Sequence, residues 1–301
     1  MKKRLIALAA AVTLSAPVLA CCAIPIGPPI DSNQMRLDEQ RAFIFRQGTK
    51  EHLILSVQYD GATEEFAWVI PVESRPKVDV LNGAPFTELR KMTVVAEPMR
   101  SMDKGAPGGA APETAGVQVL ERKVAGPYEL VVLKATSGGN LYDWLRSNKF
   151  QLTKNMKGAL DHYVSRDFVF VAARMRPGTK GKQELAQRLK QGNIAPIHLI
   201  YDAKSLSYPL RVTAGNPGYS KLEFYVLDSK PDDYSSLGLT AQTFKLTPEG
   251  KDGFSVSGPP GAVNPTDSFP TIRKLIPRGG TLTKYTGNLG DHQRQKDLVF
   301  D

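Results

Sequence analysis

One stretch of the sequence constrains the fold more than any other, the unbroken apolar run at residues 66–70 (FAWVI). A strand without alternating polar residues is typical of a strand that is buried on both faces. Pro71 follows this run. Because proline cannot donate a ladder hydrogen bond, it predicts that the strand ends there or lies at an edge. The rest of the chain must therefore supply layers that cover both faces.

Two segments before this run predict a β-hairpin, residues 41–45 and 52–59. The residues between them, 47–50, have turn character. The second segment alternates apolar and polar side chains, as a strand with one buried face does, and its apolar members are Leu53, Leu55, Val57 and Tyr59. After the apolar run, Pro85 suits the first turn of a helix and predicts a short helix over residues 86–95.

The larger half of the chain predicts two helices among several strands. Asn140 is predicted to cap the first helix and Thr153 the second. Residues at helical spacing give each helix an apolar face, and these are Leu141, Trp144 and Leu145 in the first and Met156, Leu160, Tyr163 and Val164 in the second. Strands are predicted at 117–123, 128–135, 168–173, 197–201, 208–213 and 222–227.

Strands before and after a group of helices favour the α+β class. We expect mixed, mainly antiparallel sheets with a few short helices, and the pattern leaves open whether they form two subdomains.

Composition divides the chain into segments. Residues 101–116 (SMDKGAPGGAAPETAG) are rich in Gly, Ala and Pro and predict a flexible loop or linker. This segment separates a β-rich part, 21–100, from an α+β part, 117–287, although the same composition also suits a long loop within one domain. Residues 1–20 are predicted to be a signal peptide. Residues 288–301 are predicted to be a polar tail that frays.

The first 20 residues have the features of a secretory signal peptide. Residues 2–4 (KKR) form a cationic start, residues 5–14 are almost wholly apolar, and Val18 and Ala20 stand at the positions that a signal peptidase recognises. The apolar segment is shorter than the roughly 20 residues that a transmembrane helix needs. The sequence therefore predicts cleavage after Ala20 and export to the periplasm or cell envelope.

The two cysteines of the chain, Cys21 and Cys22, follow that cleavage site directly. Since no other cysteine exists, a long-range disulfide cannot stabilise the fold. Three outcomes remain open. Cys21 is simply the new N-terminus, or it carries lipid that anchors the protein, with residues 18–21 (VLAC) acting as a lipobox. In the third, the cysteine pair has a thiol or metal function.

The charge of the chain is positive and unevenly distributed. The formal net charge is +9, and residues 101–301 hold 27 basic and 19 acidic residues, whereas residues 21–100 hold 9 and 11. An exported basic surface suits an anionic lipid, an acidic polymer or an envelope protein, although an ordinary solvated surface has the same composition. We do not expect nucleic acid as a partner outside the cytoplasm. Beyond residue 20 no segment is apolar for long enough to span a membrane.

The search for catalytic motifs is negative. The sequence contains no G-x-S-x-G, H-E-x-x-H, P-loop or G-x-G-x-x-G pattern. An S-x-x-K match at residues 101–104 lies beside the Gly/Pro-rich loop, and we interpret it as chance. The four histidines lack metal-ligand spacing and are expected to be structural, and these are His52, His162, His198 and His292. No cofactor or metal site is predicted, and the sequence does not decide whether the protein is an enzyme.

Several stretches resemble the bacterial domain-of-unknown-function family 2330. The most specific is 65–72 (EFAWVIPV). The others follow in order along the chain: 20–25 (ACCAIP), 32–34 (SNQ), 40–44 (QRAFI), 58–61 (QYDG), 86–89 (FTEL), 126–129 (GPYE), 141–145 (LYDWL), 208–211 (YPLR) and 282–284 (LTK). The resemblance covers nearly the whole chain after the signal peptide. It implies an exported bacterial protein, and it implies no known activity and no catalytic residues.

The leading hypothesis from the sequence is a non-catalytic binding or interaction module of the bacterial cell envelope. One alternative is an envelope enzyme whose site is assembled from residues distant in sequence, which convergent polar groups in a pocket would favour. The other is a thiol or metal function at Cys21 and Cys22, which a bound metal or a reversible oxidation would favour.

Overall fold

The computed structural model describes residues 23–25, 35–61, 66–94, 116–150, 152–175, 187–215, 219–262, 264–265 and 267–300. Three features from the sequence lie outside these residues: the signal peptide with its cleavage site at Ala20, the pair Cys21 and Cys22, and the S-x-x-K match at 101–104. Nearly all of the predicted linker lies outside them as well.

The described residues form two large sheets and one small one. The strands in chain order are β1 (Ala23–Pro25), β2 (Met35–Gln47), β3 (Lys50–Gly61), β4 (Phe66–Val72), β5 (Lys77–Val80), β6 (Val117–Ala125), β7 (Tyr128–Ala135), β8 (Val169–Met175), β9 (Ile197–Asp202), β10 (Leu206–Tyr208), β11 (Ser220–Leu227), β12 (Leu239–Glu249), β13 (Gly253–Ser257), β14 (Gly280–Leu289) and β15 (Leu298–Phe300).

Four α-helices and three 3₁₀ turns connect these strands in the described part of the chain. The helices are α1 (Pro85–Met92), α2 (Gly138–Ser147), α3 (Met156–Val164) and α4 (Pro270–Leu275). The 3₁₀ turns are Leu210–Gly215, Ser235–Leu237 and Asp291–Arg294, and residues 187–190 form a further helical turn. None of the helices in these ranges is both long and apolar enough to cross a membrane.

The sheet topology confirms the predicted α+β class. The eight-stranded sheet has the order β13-β12-β14-β11-β2-β3-β9-β5, and the five-stranded sheet has the order β1-β4-β8-β7-β6. Neighbouring strands are antiparallel except β11 and β2, which run parallel. A small sheet pairs β10 with β15. The sheets are therefore mixed and mainly antiparallel, as the sequence predicts.

The two faces of the eight-stranded sheet contact different cores. On β2, Ala42 and Ile44 belong to a first core that also contains residues of the five-stranded sheet, α2 and α3. The alternate residues Phe43 and Phe45 belong to a second core with residues of α1 and α4. This follows from strand geometry, because successive side chains point to opposite faces.

The apolar run at residues 66–70 lies in β4, and its burial on both faces is confirmed. Ala67, Trp68, Val69 and Ile70 are all buried. Pro71 does not end the strand. It pairs with Phe170 of β8, and among the described residues β1 pairs only with residues 66–68 of β4. In the described part of the chain Pro71 therefore has a neighbouring strand on one side, which is where a sheet tolerates a residue that cannot donate.

Strands from before and after residues 101–116 pair with each other. β2 and β3 pair with β11 and β9, and β4 pairs with β8. The predicted boundary therefore does not divide either sheet, and the two parts fold together around a shared first core.

Several local predictions differ from the structure. Ser137, not Asn140, caps α2, since its Oγ accepts from the Asn140 backbone N–H at 3.1 Å. The N-cap of α3 is Asn155, not Thr153. The apolar faces of both helices are buried as expected. Local patterns locate these helices because the apolar faces span several turns, whereas a cap depends on one residue.

The region at 208–213 is not a strand. It divides into the end of β10 and the 3₁₀ turn Leu210–Gly215. Pro209 stands between them and cannot take part in a ladder as a donor. Thr213 Oγ1 then donates to the Leu210 carbonyl at 2.7 Å, which stabilises the turn.

The C-terminal residues do not form a frayed polar tail. Residues 298–300 form β15, and Leu298 and Phe300 are buried against the first core. The predicted strands also do not include β12–β14. In β12 the alternation of a half-buried strand is short, since among residues 242–247 only Phe244 and Leu246 are buried and the residues beside them are exposed.

Candidate functional site

The main candidate site is a group of charged side chains on the second face of the eight-stranded sheet. We call it the Arg90 cluster, and its members are Glu39, Arg41, Arg90, Lys221, Glu223, Tyr225 and Lys284. Glu39 and Glu223 are 2% and 4% exposed. A buried carboxylate is costly unless cations and hydrogen bonds compensate it, so the geometry around both glutamates is informative.

Strand periodicity places the cluster. Glu39 and Arg41 continue the face of β2 on which Phe43 lies, and the parallel register sets Glu223 of β11 opposite Arg41. Helix α1 crosses this face, and Arg90 lies in its last turn. A cation there also complements the negative end of the helix dipole.

Arg90 joins the two glutamates. Its Nε donates to Glu223 Oε2 at 2.8 Å and to Oε1 at 3.0 Å. Its Nη2 donates to both Glu223 and Glu39. Hydrogen bonds from two nitrogens of one guanidinium to carboxylates fix the orientation of its plane as well as its distance from them. These hydrogen bonds from Arg90 therefore hold α1 against β2 and β11.

Further cations surround the same two carboxylates. Arg41 Nε donates to Glu39 Oε2 at 2.7 Å, and Lys221 Nζ lies 2.7 Å from Glu39 Oε1. Lys284 Nζ lies 3.9 Å from Glu223 Oε1, which also accepts from the Tyr225 hydroxyl. Four cationic side chains thus face two carboxylates, which leaves an excess of two positive charges in the Arg90 cluster.

The electrostatics keep Glu39 ionised. Burial by itself raises the pKa of Glu39, but Arg41, Arg90 and Lys221 outweigh it and hold the pKa at about 2. Burial also lowers the pKa of Lys284 and, together with Glu223, raises that of the Tyr225 hydroxyl. At neutral pH Glu39 is charged and Tyr225 is neutral.

A cavity of about 410 Å³ adjoins the cluster. One wall is the segment 81–87 at the start of α1, and the other is the segment 192–196 before β9. Arg41 of the cluster lines it, and so does Arg188. The cavity and the Arg90 cluster therefore share one buried arginine.

Two histidines that are far apart in sequence meet on the same face of the sheet. His52 Nδ1 of β3 lies 3.0 Å from His198 Nε2 of β9, and Phe45 stacks on the His52 ring. Burial lowers the pKa of His52, and burial followed by the nearby His52 lowers that of His198 to about 4. Both rings are neutral at neutral pH, so one donates an N–H to the other. Their expected structural role fits this geometry.

A third histidine contacts arginines. His162 Nδ1 lies 2.7 Å from Arg211 Nη1 and 3.1 Å from Arg166 Nη1. Burial, Arg211 and Arg166 lower the pKa of His162. The neutral ring therefore accepts from the arginines. The fourth, His292, lies in the 3₁₀ turn Asp291–Arg294.

Glu51 is a buried acid of a different kind, on the first face of the sheet. Its carboxyl group accepts from the Tyr201 hydroxyl at 2.7 Å and from the Ser207 backbone N–H at 3.2 Å. Burial raises the pKa of Glu51 to about 8. Within the ranges that the structure describes, no group of three or more His, Cys, Asp or Glu side chains is arranged to hold a metal ion.

The sequence does not identify the Arg90 cluster. Glu39 and Arg41 precede Phe43 at every second position of β2, and Lys221 and Glu223 precede Tyr225 in the same way on β11. In both strands the face that carries an aromatic residue further along therefore carries charged residues near its start. Nothing local connects either strand to Arg90, because the contact depends on where α1 crosses the sheet.

The fold and the site define a two-sheet α+β protein with a buried carboxylate pair beneath a positively charged surface. The chain belongs to the family described as an uncharacterized protein conserved in bacteria (DUF2330), whose sequence profile matches residues 17–236. The matched region contains Glu39, Arg41, Arg90 and Glu223, and Lys284 lies beyond it. The family resemblance expected from the sequence is thereby confirmed.

Comparison with other proteins adds little. No curated protein matches the sequence significantly. Among solved structures, the crystal structure of baculovirus P35 aligns with a TM-score of 0.41 and 8% identity, over 89% of this chain and 97% of that chain. A TM-score this low carries no inference about fold or function.

Proposed function

We propose that this protein is an exported, non-catalytic binding module that recognises an acidic polymer of the cell envelope through the Arg90 cluster. The observation that carries the proposal is the separation of charge within the cluster. Lys221 and Arg90 are 61% and 38% exposed, whereas Glu39 is 3% exposed at its side chain. Lys221 and Arg90 face solvent, and the carboxylates lie beneath them.

The excess positive charge favours an anionic partner. Two buried carboxylates fix the positions of four cations but neutralise only half of their charge. A surface whose cations are already oriented loses little conformational entropy when an anion binds. It also attracts anions over a distance of about one Debye length, roughly 8 Å at physiological salt.

The depth of the cluster favours a thin polymer over a flat membrane surface. Lys284 is only 17% exposed at its side chain and lies 5.7 Å from the centre of the Tyr225 ring. A flexible chain of acidic groups reaches such a recessed cation more readily than a bilayer does. An anionic lipid is the competing partner, and the experiment below separates the two.

The titration behaviour of the acids favours binding over catalysis. A general acid or base works best with a pKa near the working pH. The cations hold the pKa of Glu39 at about 2. Glu51 has a suitable pKa of about 8 but is 0% exposed, so substrate cannot reach it in this conformation.

Binding to poly-L-glutamate tests the proposal, with measurement at several salt concentrations. We expect binding that weakens with salt. The variant Lys221→Gln should lose about fivefold in affinity, and the double variant with Lys284→Gln more, because a basic residue near an anionic surface contributes about 1 kcal/mol. The matched control is Lys245→Gln on β12. Its neighbours Phe244 and Leu246 lie in the second core, so exposed Lys245 lies on the opposite face.

Two outcomes would contradict the proposal. Equal loss in Lys245→Gln and Lys221→Gln would mean that only the total charge matters. Tighter binding to phosphatidylglycerol vesicles than to poly-L-glutamate, with phosphatidylcholine vesicles as the neutral reference, would assign the Arg90 cluster to the membrane surface.

The predicted signal peptide at residues 1–20 supports export, and the fate of Cys21 decides how the protein is retained. The intact mass of the protein from its native envelope is the direct test. An acyl-sized excess at Cys21 makes the protein a lipoprotein, and an unmodified Cys21 makes it a released one. A mass that is lower by two hydrogen atoms and is restored by reductant would support the alternative thiol function of Cys21 and Cys22. A start at Met1 would contradict the predicted cleavage after Ala20.

A further inference from the structure

We infer that the cavity between α1 and the segment 192–196 binds a small ligand in which a carboxylate is attached to an apolar body. This goes beyond the proposed function, because the ligand is a small molecule or a chain end rather than a polymer. Lys221, the exposed lysine of the Arg90 cluster, does not line the cavity. The cavity volume of about 410 Å³ falls within the range of small-molecule sites, roughly 300–1,000 Å³.

Arg41 supplies a fixed positive charge at the base of the cavity. It is 4% exposed, and its Nε donates to Glu39, its Nη2 to Gln58 Oε1 at 2.9 Å and its Nη1 to the Gly192 carbonyl at 3.3 Å. A guanidinium has five N–H groups, so these contacts leave two of them available. The position of Arg41 is therefore set before any ligand binds.

The backbone at Gly192 makes room for that guanidinium. Gly192 has a φ of +64°, and a Cβ there would lie 2.5 Å from Arg41 Nη1. Only glycine combines this conformation with so close an approach. The turn before β9 is thus built around the arginine.

Arg188 supplies a second positive charge at the rim. Its side chain is exposed, and its Nε donates to the Asn193 carbonyl at 3.2 Å. Its two Nη groups have no hydrogen-bond partner within the described ranges. No Asp or Glu belongs to the described lining of the cavity. Arg41 is paired with Glu39 beneath the cavity, whereas Arg188 has no acid beside it in the described lining. The cavity therefore favours an anionic ligand group, and the planar forks of both arginines match a carboxylate.

The start of α1 adds to the positive potential. Ala84 is the N-cap and has no side chain that can accept from the first turn. The backbone N–H groups of Phe86 and Thr87 therefore have no side-chain cap, and the positive end of the helix dipole lies at the cavity wall. This contribution supports the arginines and would not define a site without them.

Part of the remaining lining is apolar, and the polar members are Ser56, Asn82, Thr87 and Asn193. Phe86 and Ile194 are 4% and 5% exposed, and Pro196 lies beside them in the lining. Such a wall favours hydrocarbon over water. An anionic group at one side and an apolar wall at the other select a ligand with both features. The C-terminus of a peptide and a short fatty acid both have this chemistry.

The test uses two pairs of probes with the full mature protein, measured by isothermal titration calorimetry. Octanoate represents the fatty acid and N-acetyl-leucine the peptide C-terminus, and octanamide and N-acetyl-leucine amide are their neutral counterparts. We expect one carboxylate to bind at least tenfold more tightly than its amide. The tighter of the two carboxylates identifies the source of the ligand.

Three variants locate the binding. Arg188→Gln should weaken carboxylate binding about tenfold, because an ionic hydrogen bond contributes about 1.5 kcal/mol or more. Thr87→Trp keeps both arginines but fills the cavity from an exposed position, and it should abolish binding. Arg278→Gln removes the same charge at an exposed position that does not line the cavity, and it should change nothing.

Three results would overturn the inference: equal affinity for acid and amide in both pairs, no binding of either acid, or unchanged binding in Thr87→Trp. Lys221→Gln separates this inference from the polymer proposal. It should weaken poly-L-glutamate binding and leave carboxylate binding within about twofold, since Lys221 is not part of the cavity lining.

Discussion

Glu39 and Glu51 lie on opposite faces of one eight-stranded sheet, and both are buried, yet their carboxyl groups differ in charge. On the second face, cations hold the pKa of Glu39 at about 2, although burial opposes this. On the first face, burial raises the pKa of Glu51 to about 8, and its hydrogen-bond partners are the neutral Tyr201 hydroxyl and the Ser207 N–H. Burial alone therefore does not decide the charge of an acid in this sheet, because the cations and hydrogen-bond donors around each carboxyl group decide it.

Removal of Arg90 should have the largest effect on this comparison. Arg90→Ala leaves Glu223 and Glu39 buried with fewer cations. Breaking a fully buried pair costs about 3–5 kcal/mol, and since Arg90 is 38% exposed we expect about 2–3 kcal/mol. Urea unfolding at pH 7 measures this loss. Arg90→Lys keeps the charge but cannot make the bidentate hydrogen bonds, so it should lower the free energy of unfolding less than Arg90→Ala does.

An unchanged free energy of unfolding in Arg90→Ala would be evidence that Lys221, Arg41 and Lys284 suffice to compensate both glutamates. The contrast between the two faces would then depend on the total charge, not on the arginine that joins the strands to α1.

The pH dependence of stability should differ in sign between the two glutamates. Glu51 has a pKa of about 8 in the folded protein against 4.5 ordinarily. The folded state binds more protons between these values, so the contribution of Glu51 to stability is lost as pH rises from 4.5 to 8. Glu39, with a pKa lowered from 4.5 to about 2, contributes stability that is lost as pH falls through that range.

The variant Glu51→Gln isolates the first of these effects. The stability of the wild type relative to Glu51→Gln should fall by at least about 1 kcal/mol between pH 5 and pH 8, because one pKa unit corresponds to about 1.4 kcal/mol. Urea unfolding at both pH values measures it. The titrations of His52 and His198 are common to both proteins and cancel. A constant difference would show that Glu51 is ionised across this range.

The smallest expected effect is that of Lys221→Gln on stability. The Lys221 side chain is 61% exposed, and exposed ion pairs contribute about 0–1 kcal/mol. We expect a change below about 0.5 kcal/mol in thermal unfolding, with the fold intact. A large loss would instead make Lys221 essential for the charged state of Glu39, and binding data on this variant would then need a stability control.

The sequence predicts much of the fold where apolar patterns are long. It identifies β4 as doubly buried, the β2–β3 hairpin, α1, and the apolar faces of α2 and α3. It fails where the pattern is short or mixed. Residues 298–300 are too few to show alternation, and in β12 the clear alternation is confined to the residues around Phe244 and Leu246.

The site is less predictable than the fold. Glu39 and Arg41 are visible as polar residues at one end of an apolar strand, but their neighbours Glu223 and Arg90 are 184 and 51 positions from Glu39 in the chain. The meeting of His52 with His198 likewise depends on the register of β3 against β9. The loop or linker character of residues 101–116 and the fate of Ala20, Cys21 and Cys22 stay predictions.

The sequence by itself determined the α+β class and the main buried strands, because burial of apolar side chains follows from their spacing along the chain. It also determined the family, through short motifs such as residues 65–72. Only the tertiary structure decided which charges meet. A pKa of about 2 at Glu39 and of about 8 at Glu51 arises from neighbours on other elements. Electrostatic energies depend on distance and burial in space, and sequence separation fixes neither.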